Sequence, residues 1–151
     1  MQFLGNIEAK LDAKSRVFVP AAFRKILQSA EQNVLVLRKD IFQDCLVLYP
    51  MPVWEEQVAL LSAKATHWDG EKRQLLRRLF FDTERLDIDP NGRILIPKRY
   101  VQMIGVLSDI RFLGVGDTIE IWAKDRLEDS MNSINDFGLQ IQKLMGGNDE
   151  R

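Results

Sequence analysis

The chain contains one stretch of sequence twice, as LDAKSRVFVP at residues 11–20 and as IDPNGRILIP at residues 88–97. Aspartate, arginine and proline occupy the second, sixth and tenth positions of both copies. The positions between arginine and proline are apolar in both, and most are β-branched. An internal repeat of this kind predicts that each copy folds as one supersecondary unit and packs on the other copy.

Each copy is predicted to form a tight turn followed by a short strand. Asp12 opens the first turn and Arg16 follows it, while Asp89 and Arg93 occupy these positions in the second copy. An aspartate accepts backbone N–H bonds within such a turn, and its carboxylate lies close enough to pair with the arginine and hold its orientation. One such motif is most simply a hairpin with a weak surface ion pair. Its repetition in register with strand and proline favours a functional role.

The first half of the chain alternates β-rich runs with amphipathic segments, and Pro20 is suited to open a helix. Its predicted elements are a strand at residues 3–10, the hairpin partner of that strand at 17–19, a helix at 21–27, a strand pair at 34–37 and 45–49, and a helix at 53–63.

The second half repeats this pattern after a connecting helix that Asp69 caps. Its predicted elements are the connecting helix to about residue 81, strands at 85–88 and 94–96, a helix from Pro97 to about residue 104, and a hairpin of residues 110–115 and 118–122. One last helix is predicted from Asp125, weakened at Gly138 and followed by a frayed tail at 146–151. Its apolar stripe comprises Leu127, Met131, Ile134, Ile141 and Leu144.

Several blocks of the chain together resemble the MraZ family of bacterial transcriptional regulators. The resemblance covers nearly all of residues 1–127. Ser15 stands where the family usually has glycine, and Val101 stands where the second copy usually has the arginine that Arg24 provides in the first. The matching blocks are residues 11–24, CLVLYP at 45–50, RRLFF at 77–81, residues 88–97, and residues 114–122 beginning GVG.

This resemblance implies an α+β fold, mainly β with short helices. It consists of two tandem, pseudo-symmetric AbrB-like (SpoVT-like) swapped-hairpin β-barrel units that share a core, with a C-terminal helix added. On this basis we expect a first unit at residues 1–63, a connecting helix at 64–83, a second unit at 84–127, and a C-terminal helix and tail at 128–151.

Composition places the chain among soluble globular proteins of a reducing compartment. Hydrophobic residues make up 46% and charged residues 28% of the 151 residues. The single cysteine, Cys45, lies in an apolar run and is expected to be a buried small side chain. No targeting segment or membrane span is apparent, which predicts a cytoplasmic protein.

Charge is unevenly distributed along the chain. The net charge of −1 gives little general attraction to nucleic acid, but phosphate contacts depend on local patches. Residues 1–25 carry five basic and two acidic side chains, whereas residues 117–151 carry four basic and eight acidic ones. The chain is therefore polarised, with a basic N-terminal region and an acidic C-terminal region.

No arrangement of residues predicts an enzyme, a cofactor or a metal site. His67 is the only histidine, which excludes a two-histidine metal site within one chain, and its predicted position in a loop beside Trp68 indicates no Ser-His-Asp or Cys-His arrangement. The glycines at residues 114–116 lack the rest of a dinucleotide fingerprint. We expect no catalytic residues and no small-molecule ligand.

Two functions of different classes fit these patterns. In the first, the chain is a DNA-binding regulator in which Arg16 and Arg93, oriented by Asp12 and Asp89, reach guanine edges. In the second, the same fold is a protein-interaction scaffold or antitoxin-like partner whose arginines pair with acidic side chains. The basic residues expected to hold DNA phosphates are Lys14, Arg24, Lys98 and Arg99.

The family resemblance carries further implications. It implies a ring-like homo-oligomer that binds repeated short boxes in double-stranded promoter DNA upstream of its own gene, within the division and cell-wall gene cluster. It also implies a nucleoid-associated protein that has no membrane partner.

Overall fold

The computed structural model describes residues 1–146, which contain eight strands. Four of these strands come from each half of the chain. In order, they are β1 (Phe3–Lys10), β2 (Arg16–Phe18), β3 (Val34–Lys39), β4 (Cys45–Pro50), β5 (Thr83–Asp87), β6 (Arg93–Leu95), β7 (Asp109–Gly116) and β8 (Thr118–Ala123).

Three of the helices begin where the sequence places start signals. Pro20 and Pro97 directly precede the helices that follow β2 and β6, and the Asp69 side chain accepts a hydrogen bond from the Lys72 N–H at 3.1 Å. Among residues 1–146, no helix combines the length and apolar content needed to cross a bilayer. The helices are α1 (Ala21–Ser29), α2 (Met51–Lys64), α3 (Gly70–Phe81), α4 (Lys98–Met103), α5 (Lys124–Asn132) and α6 (Phe137–Gly146).

Six strands form one antiparallel sheet in the order β1-β7-β8-β4-β3-β5. The first half of the chain supplies β1, β3 and β4, and the second half supplies β5, β7 and β8. The two halves therefore share a sheet, and the expected α+β class is confirmed. The hairpin of β7 and β8 turns at Gly116, which has a φ of +75°.

The predicted pairing of residues 17–19 with the strand before the first turn is wrong. β1 pairs along its whole length with β7, and β2 pairs with β6, the corresponding strand of the other copy. Val17 lies opposite Ile94 at the centre of this two-stranded ribbon, and both side chains are buried. A three-residue strand buries little apolar surface by itself, whereas pairing between the copies places both side chains in one shared core.

The single helix predicted from Asp125 is also wrong, because α5 and α6 are separate helices. Residues 133–136 interrupt them, and Asp136 has a φ of +52°. Ser133 Oγ donates a hydrogen bond to the carbonyl three residues earlier at 2.7 Å. Short polar side chains that bond the local backbone compete with helical hydrogen bonds. The break therefore lies before Gly138. Of the frayed tail predicted at residues 146–151, only residue 146 belongs to the described part of the chain.

One apolar core joins the two halves. Fully buried aromatic side chains come from both, with Phe3 and Phe23 from the first and Tyr100 and Phe112 from the second. The rings of Phe3 and Phe23 meet edge to face at a centroid distance of 5.6 Å. Cys45 is buried as predicted, and this burial raises the pKa of its thiol. The thiol is therefore kept in its unreactive protonated form.

Gly114 lies where β7 approaches β1 too closely for a side chain. A Cβ atom at this position would lie 2.5 Å from the carbonyl carbon and oxygen of Phe3. Backbone atoms cannot move aside as the end of a flexible side chain can. We expect Gly114→Ala to lower the free energy of unfolding by about 1–3 kcal/mol, measured by urea denaturation.

Gly138 provides the matched control for this substitution. A Cβ atom there would meet nothing within 4 Å, and the residue lies in helix α6. Since alanine is favoured over glycine in a helix by about 0.5–1 kcal/mol, Gly138→Ala should not lower stability. Equal urea midpoints for wild type and Gly114→Ala would contradict the close approach of β1 and β7.

Candidate nucleic-acid interface

The first copy of the repeat forms a tight turn that the Asp12 carboxylate holds together. Asp12 Oδ1 accepts hydrogen bonds from the backbone N–H groups of Lys14 and Arg16, both at 2.9 Å, and Oδ2 accepts one from Arg16 Nε at 2.8 Å. The Asp12 N–H also donates to the Arg16 carbonyl at 2.9 Å. The ion pair expected from the sequence is therefore present, and it fixes the direction of the arginine side chain.

The second copy repeats these contacts one for one. Asp89 Oδ1 accepts hydrogen bonds from the N–H groups of Asn91 and Arg93 at 2.9 and 2.8 Å, and Oδ2 accepts one from Arg93 Nε at 3.0 Å. The Asp89 N–H donates to the Arg93 carbonyl at 2.8 Å. The two turns thus have the same hydrogen-bonded structure.

The carboxylates leave the outer nitrogens of both arginines available. Within residues 1–146, Arg16 and Arg93 each donate a side-chain hydrogen bond through Nε and through no other guanidinium nitrogen. Each guanidinium is held at one edge by its aspartate, and its two Nη atoms are free to bond an external acceptor. A planar fork that is oriented in advance loses less side-chain freedom when it binds.

The ribbon of β2 and β6 carries both arginines on its outward face. Val17 and Ile94 point into the core, so the residues on either side of them along each strand point outward. Arg16 and Arg93 are diagonal neighbours in the register, which places their Cα atoms about 7–8 Å apart. The two arginines therefore lie on one small surface.

Two apolar side chains share this face, and the sequence interpretation did not single them out. Phe18 is 57% exposed and Leu95 is 52% exposed. The Arg93 guanidinium carbon lies 5.9 Å from the centre of the Phe18 ring. The period-two alternation of both strands could have identified them, since it turns the residues next to buried Val17 and Ile94 outward.

Arg24, a predicted phosphate contact, lies against the turn of the other copy. A Cβ atom on Gly92, which has a φ of +86°, would fall 2.3 Å from Arg24 Nη1 and 2.8 Å from its Cδ. Arg24 Nε is buried and has no hydrogen-bond partner within the described residues. The Arg24 side chain therefore covers the second turn, and the positive φ at Gly92 is the backbone conformation that favours glycine there.

Arg99, another predicted phosphate contact, forms hydrogen bonds with other residues of the same chain. Its Nη1 donates to Asp82 Oδ1 at 2.9 Å, and its Nη2 donates to the Phe81 carbonyl at 2.6 Å and to the Tyr100 hydroxyl at 2.9 Å. Burial raises the pKa of Asp82, but hydrogen bonds from Arg78 and Arg99 outweigh it and leave that pKa below its ordinary value. These contacts join the end of α3 to the start of α4.

The remaining predicted phosphate contacts, Lys14 and Lys98, are exposed. Lys14 lies within the first turn, and Lys98 is the first residue of α4. In the described residues, no cluster of histidine, cysteine, aspartate and glutamate side chains could hold a metal ion. This surface therefore presents two arginines that are each bonded to an aspartate, together with flanking lysines and two apolar side chains.

Residues 2–78 and 79–142 each match the protein family described as "MraZ protein, putative antitoxin-like". The chain belongs to the MraZ family. It contains tandem MraZ domains, and their junction lies between the two copies of the repeat. The finer division into units at 1–63, 64–83, 84–127 and 128–151 stays a prediction.

Relatives from several bacteria are similar to the chain over nearly its whole length. A protein of Phocaeicola vulgatus is 49% identical over 98% of this chain and 96% of its own length. One of Bacteroides fragilis is 50% identical over 96% of this chain and 92% of its own. One of Bacteroides thetaiotaomicron is 48% identical over 99% of this chain and 95% of its own. Each is named transcriptional regulator MraZ.

The two departures from the MraZ pattern, Ser15 and Val101, are compatible with each other in this structure. Ser15 has a φ of +64° and forms the same turn as Gly92. The ribbon links the copies symmetrically, since the Val19 N–H bonds the Gly92 carbonyl and the Ile96 N–H bonds the Ser15 carbonyl, both at 2.9 Å. Val101 corresponds to Arg24 and has no guanidinium to crowd the first turn, which leaves space for a side chain at position 15.

The turn carboxylates are predicted to titrate below their ordinary value. The backbone N–H of Arg16 lowers the pKa of Asp12 from 3.8, and the N–H of Arg93 lowers that of Asp89 in the same way. The contribution of these contacts to stability is therefore complete above the ordinary pKa and is lost as pH falls through the lowered one. Carbon-detected NMR titration of the carboxyl groups measures both values.

Arg16→Ala supplies the control for this titration. It keeps the backbone N–H, which is the largest cause of the lowered pKa, and removes the Nε hydrogen bond together with the positive charge of the guanidinium. We expect the Asp12 pKa to rise partway and to stay below 3.8. A wild-type value at or above 3.8 would mean that the carboxylate does not hold the turn.

Proposed function

We propose that this member of the MraZ family is a sequence-specific DNA-binding transcriptional regulator. The relatives named transcriptional regulator MraZ support this proposal. The observation that carries it is the outward face of the ribbon, where carboxylates orient two arginines on adjacent strands. An arginine fork can donate two hydrogen bonds to guanine O6 and N7, and a two-stranded ribbon fits the major groove. In this proposal, Arg16 and Arg93 read bases, and Asp12 and Asp89 orient them.

Phosphate contacts are proposed to come from the exposed lysines beside the ribbon. Lys14 and Lys98 are exposed to solvent, while Arg24 packs over the turn at Gly92 and the Arg99 guanidinium is hydrogen-bonded within the chain. The surplus of basic residues within residues 1–25 supplies the local attraction that a net charge of −1 does not. Arg24 and Arg99 would then act mainly by supporting the second turn and the start of α4.

The exchange of strands between the two copies supports a swapped-hairpin barrel of the AbrB type. β2 pairs with β6, and β1 reaches across to β7. We propose that this exchange places both reading turns on one side of the chain. One DNA-contacting surface would then be a property of the paired copies and not of either copy alone.

The proposed target is a set of repeated short boxes in the promoter of the chain's own gene, within the division and cell-wall gene cluster. Each chain offers two reading turns with a short footprint, so useful affinity requires several chains. We propose a ring-like homo-oligomer, cytoplasmic and associated with the nucleoid. Linked binding heads can raise avidity by roughly 10²–10⁴ without any new contact.

The experiment that tests this function titrates the protein onto its own upstream DNA and onto a scrambled duplex of equal length at several salt concentrations. A regulator binds the native sequence more tightly, and its affinity falls steeply as salt rises. Equal, weak binding to both duplexes would instead support the alternative of an interaction scaffold or antitoxin-like partner. Light scattering and probes with one, two and three boxes then measure the assembly and its avidity.

A further inference from the structure

The outward face of the ribbon pairs each arginine with an apolar side chain. In the register of β2 and β6, Arg16 lies opposite Leu95, and Phe18 lies opposite Arg93. The arginines therefore occupy one diagonal of this face, and the apolar side chains occupy the other. Residues directly opposite each other have Cβ atoms about 4.5–5.5 Å apart. Each arginine thus has an apolar side chain as its immediate neighbour across the ribbon.

Phe18 and Leu95 contribute little to the core. Phe18 is 57% exposed and Leu95 is 52% exposed, whereas Val17 and Ile94, one residue earlier on the same strands, are 2% and 1% exposed. A single exposed apolar side chain is ordinary in a folded protein. Two of them, each opposite an arginine that an aspartate orients, form one surface that is both apolar and cationic. This surface is suited to a partner that offers hydrogen-bond acceptors and an apolar group side by side.

The major groove of DNA offers that combination. Guanine presents the acceptors O6 and N7 there, and thymine presents its C5-methyl group as an apolar contact. Successive bases of one DNA strand are about 3.4 Å apart, and alternate residues of a β-strand are about 6.6–6.8 Å apart. An apolar side chain beside an arginine therefore reaches a base about one or two base-pair steps from the guanine that the arginine binds.

We propose that Phe18 and Leu95 recognise the C5-methyl groups of thymines that lie within two base-pair steps of the guanines bound by Arg93 and Arg16. This inference rests on the proposed DNA binding and adds a second kind of base to those that the ribbon recognises. The Arg93 guanidinium carbon lies 5.9 Å from the centre of the Phe18 ring, which keeps the guanine-binding and methyl-binding groups adjacent. Because phenylalanine is larger than leucine, the thymine bound by Phe18 contributes more to affinity.

Replacement of thymine by deoxyuridine tests this contact, because uracil lacks only the C5-methyl group. The full-length protein is titrated onto its own upstream duplex prepared with thymine or with deoxyuridine, and onto scrambled duplexes prepared in both ways. We expect the deoxyuridine promoter to bind about fourfold more weakly for each contacted methyl group. The two scrambled duplexes should bind alike. A promoter affinity that is the same with deoxyuridine would overturn the proposal.

Alanine variants identify the side chains that contact the methyl groups. Phe18→Ala and Leu95→Ala should each bind the thymine promoter more weakly and lose part of the difference between thymine and deoxyuridine. The double variant should bind both promoters equally, and Phe18→Leu, which stays apolar, should keep part of the difference. Leu4→Ala is the matched control, because Leu4 is 74% exposed near the end of β1 that is distant from the first turn. This control should keep the whole difference.

A role of Phe18 that does not involve the methyl group gives a different result. If Phe18 only supports Arg93, Phe18→Ala weakens binding to the thymine and deoxyuridine promoters by the same factor. Insertion of the ring between base pairs, as minor-groove proteins do with apolar side chains, gives the same pattern. Either result would overturn methyl recognition by Phe18. A thermal melt shows that each variant is folded, which is expected because the substituted side chains are more than half exposed.

Single base substitutions measure the predicted spacing. Single deoxyuridines locate the contacted methyl groups, and single deazaguanines, which lack the N7 acceptor, locate the contacted guanines. The thymine that depends on Phe18 should lie within two base-pair steps of the guanine that depends on Arg93. A larger separation would contradict the geometry of the ribbon.

The same titrations separate this inference from the proposed function. A protein that binds its thymine promoter no more tightly than the scrambled thymine duplex overturns both. A protein that prefers its promoter to the same extent with thymine and with deoxyuridine retains sequence-specific DNA binding, and only methyl recognition is rejected.

Discussion

The Arg16→Ala/Arg93→Ala double variant is expected to lose specific promoter binding while keeping its fold. A bidentate arginine–guanine contact is worth about 1–3 kcal/mol, so removing both should lower affinity per chain about 30-fold or more. The fold should persist because Asp12 and Asp89 also bond backbone N–H groups, which alanine retains. Affinity for promoter and scrambled duplexes, together with a thermal melt, measures both effects.

Lys14→Ala is the control for this loss. A phosphate contact carries no sequence information, so this variant should weaken binding to both duplexes alike and reduce the salt dependence by about one unit of slope. Unchanged promoter preference in the double arginine variant would remove Arg16 and Arg93 from the reading role. Collapse of its melting transition would mean that the arginines serve the fold.

Ile94→Ala is expected to cause the largest loss of stability among these substitutions, about 2–5 kcal/mol. Ile94 is 1% exposed and lies opposite Val17 at the centre of the ribbon. Truncation leaves a cavity beneath both aspartate-anchored turns, because Ile94 and Val17 anchor β6 and β2 in the core. Urea denaturation should show an earlier midpoint, and DNA binding should weaken at temperatures where the variant is partly unfolded.

Leu95→Ala distinguishes an effect on core packing from an effect on DNA binding. Leu95 neighbours Ile94 in sequence but lies on the outward face with half of its surface in solvent. We expect a change in stability within about 0.5 kcal/mol and weaker promoter binding, since its contact area lies beside Arg16. Equal destabilisation by Ile94→Ala and Leu95→Ala would show that the ribbon does not face outward as described.

Local features of the fold were predictable because their causes are local. The Asp12 and Asp89 turns depend on bonds that span two to four residues, and all of these bonds are present. The caps at Pro20 and Asp69 likewise depend on neighbouring residues. The C-terminal helix was an exception, since an apolar stripe outweighed the polar residues 133–136 in the sequence interpretation.

The contacts that two arginines make within the chain were not predictable from their position in the sequence, and their predicted phosphate contacts stay predictions. Arg24 and Arg99 follow the two turns as basic residues next to a proposed DNA surface, a pattern typical of phosphate contacts. In the structure, Arg24 covers Gly92, which is 68 residues away in the sequence numbering, and Arg99 bonds Asp82. A guanidinium has several donors, and which acceptors it meets depends on chain segments brought near it by folding.

The sequence by itself determined the repeat, the two aspartate-anchored turns and most helix starts. Each of these follows from residue chemistry over a few positions or from periodicity along one segment. Only the tertiary structure decided that β2 pairs with β6, that both arginines share one face, and that β1 reaches across to β7. Strands of similar length and apolar pattern look alike in the sequence, so the sequence does not identify the partner of each strand. The pairing that forms is the one that buries Val17 and Ile94 in one core.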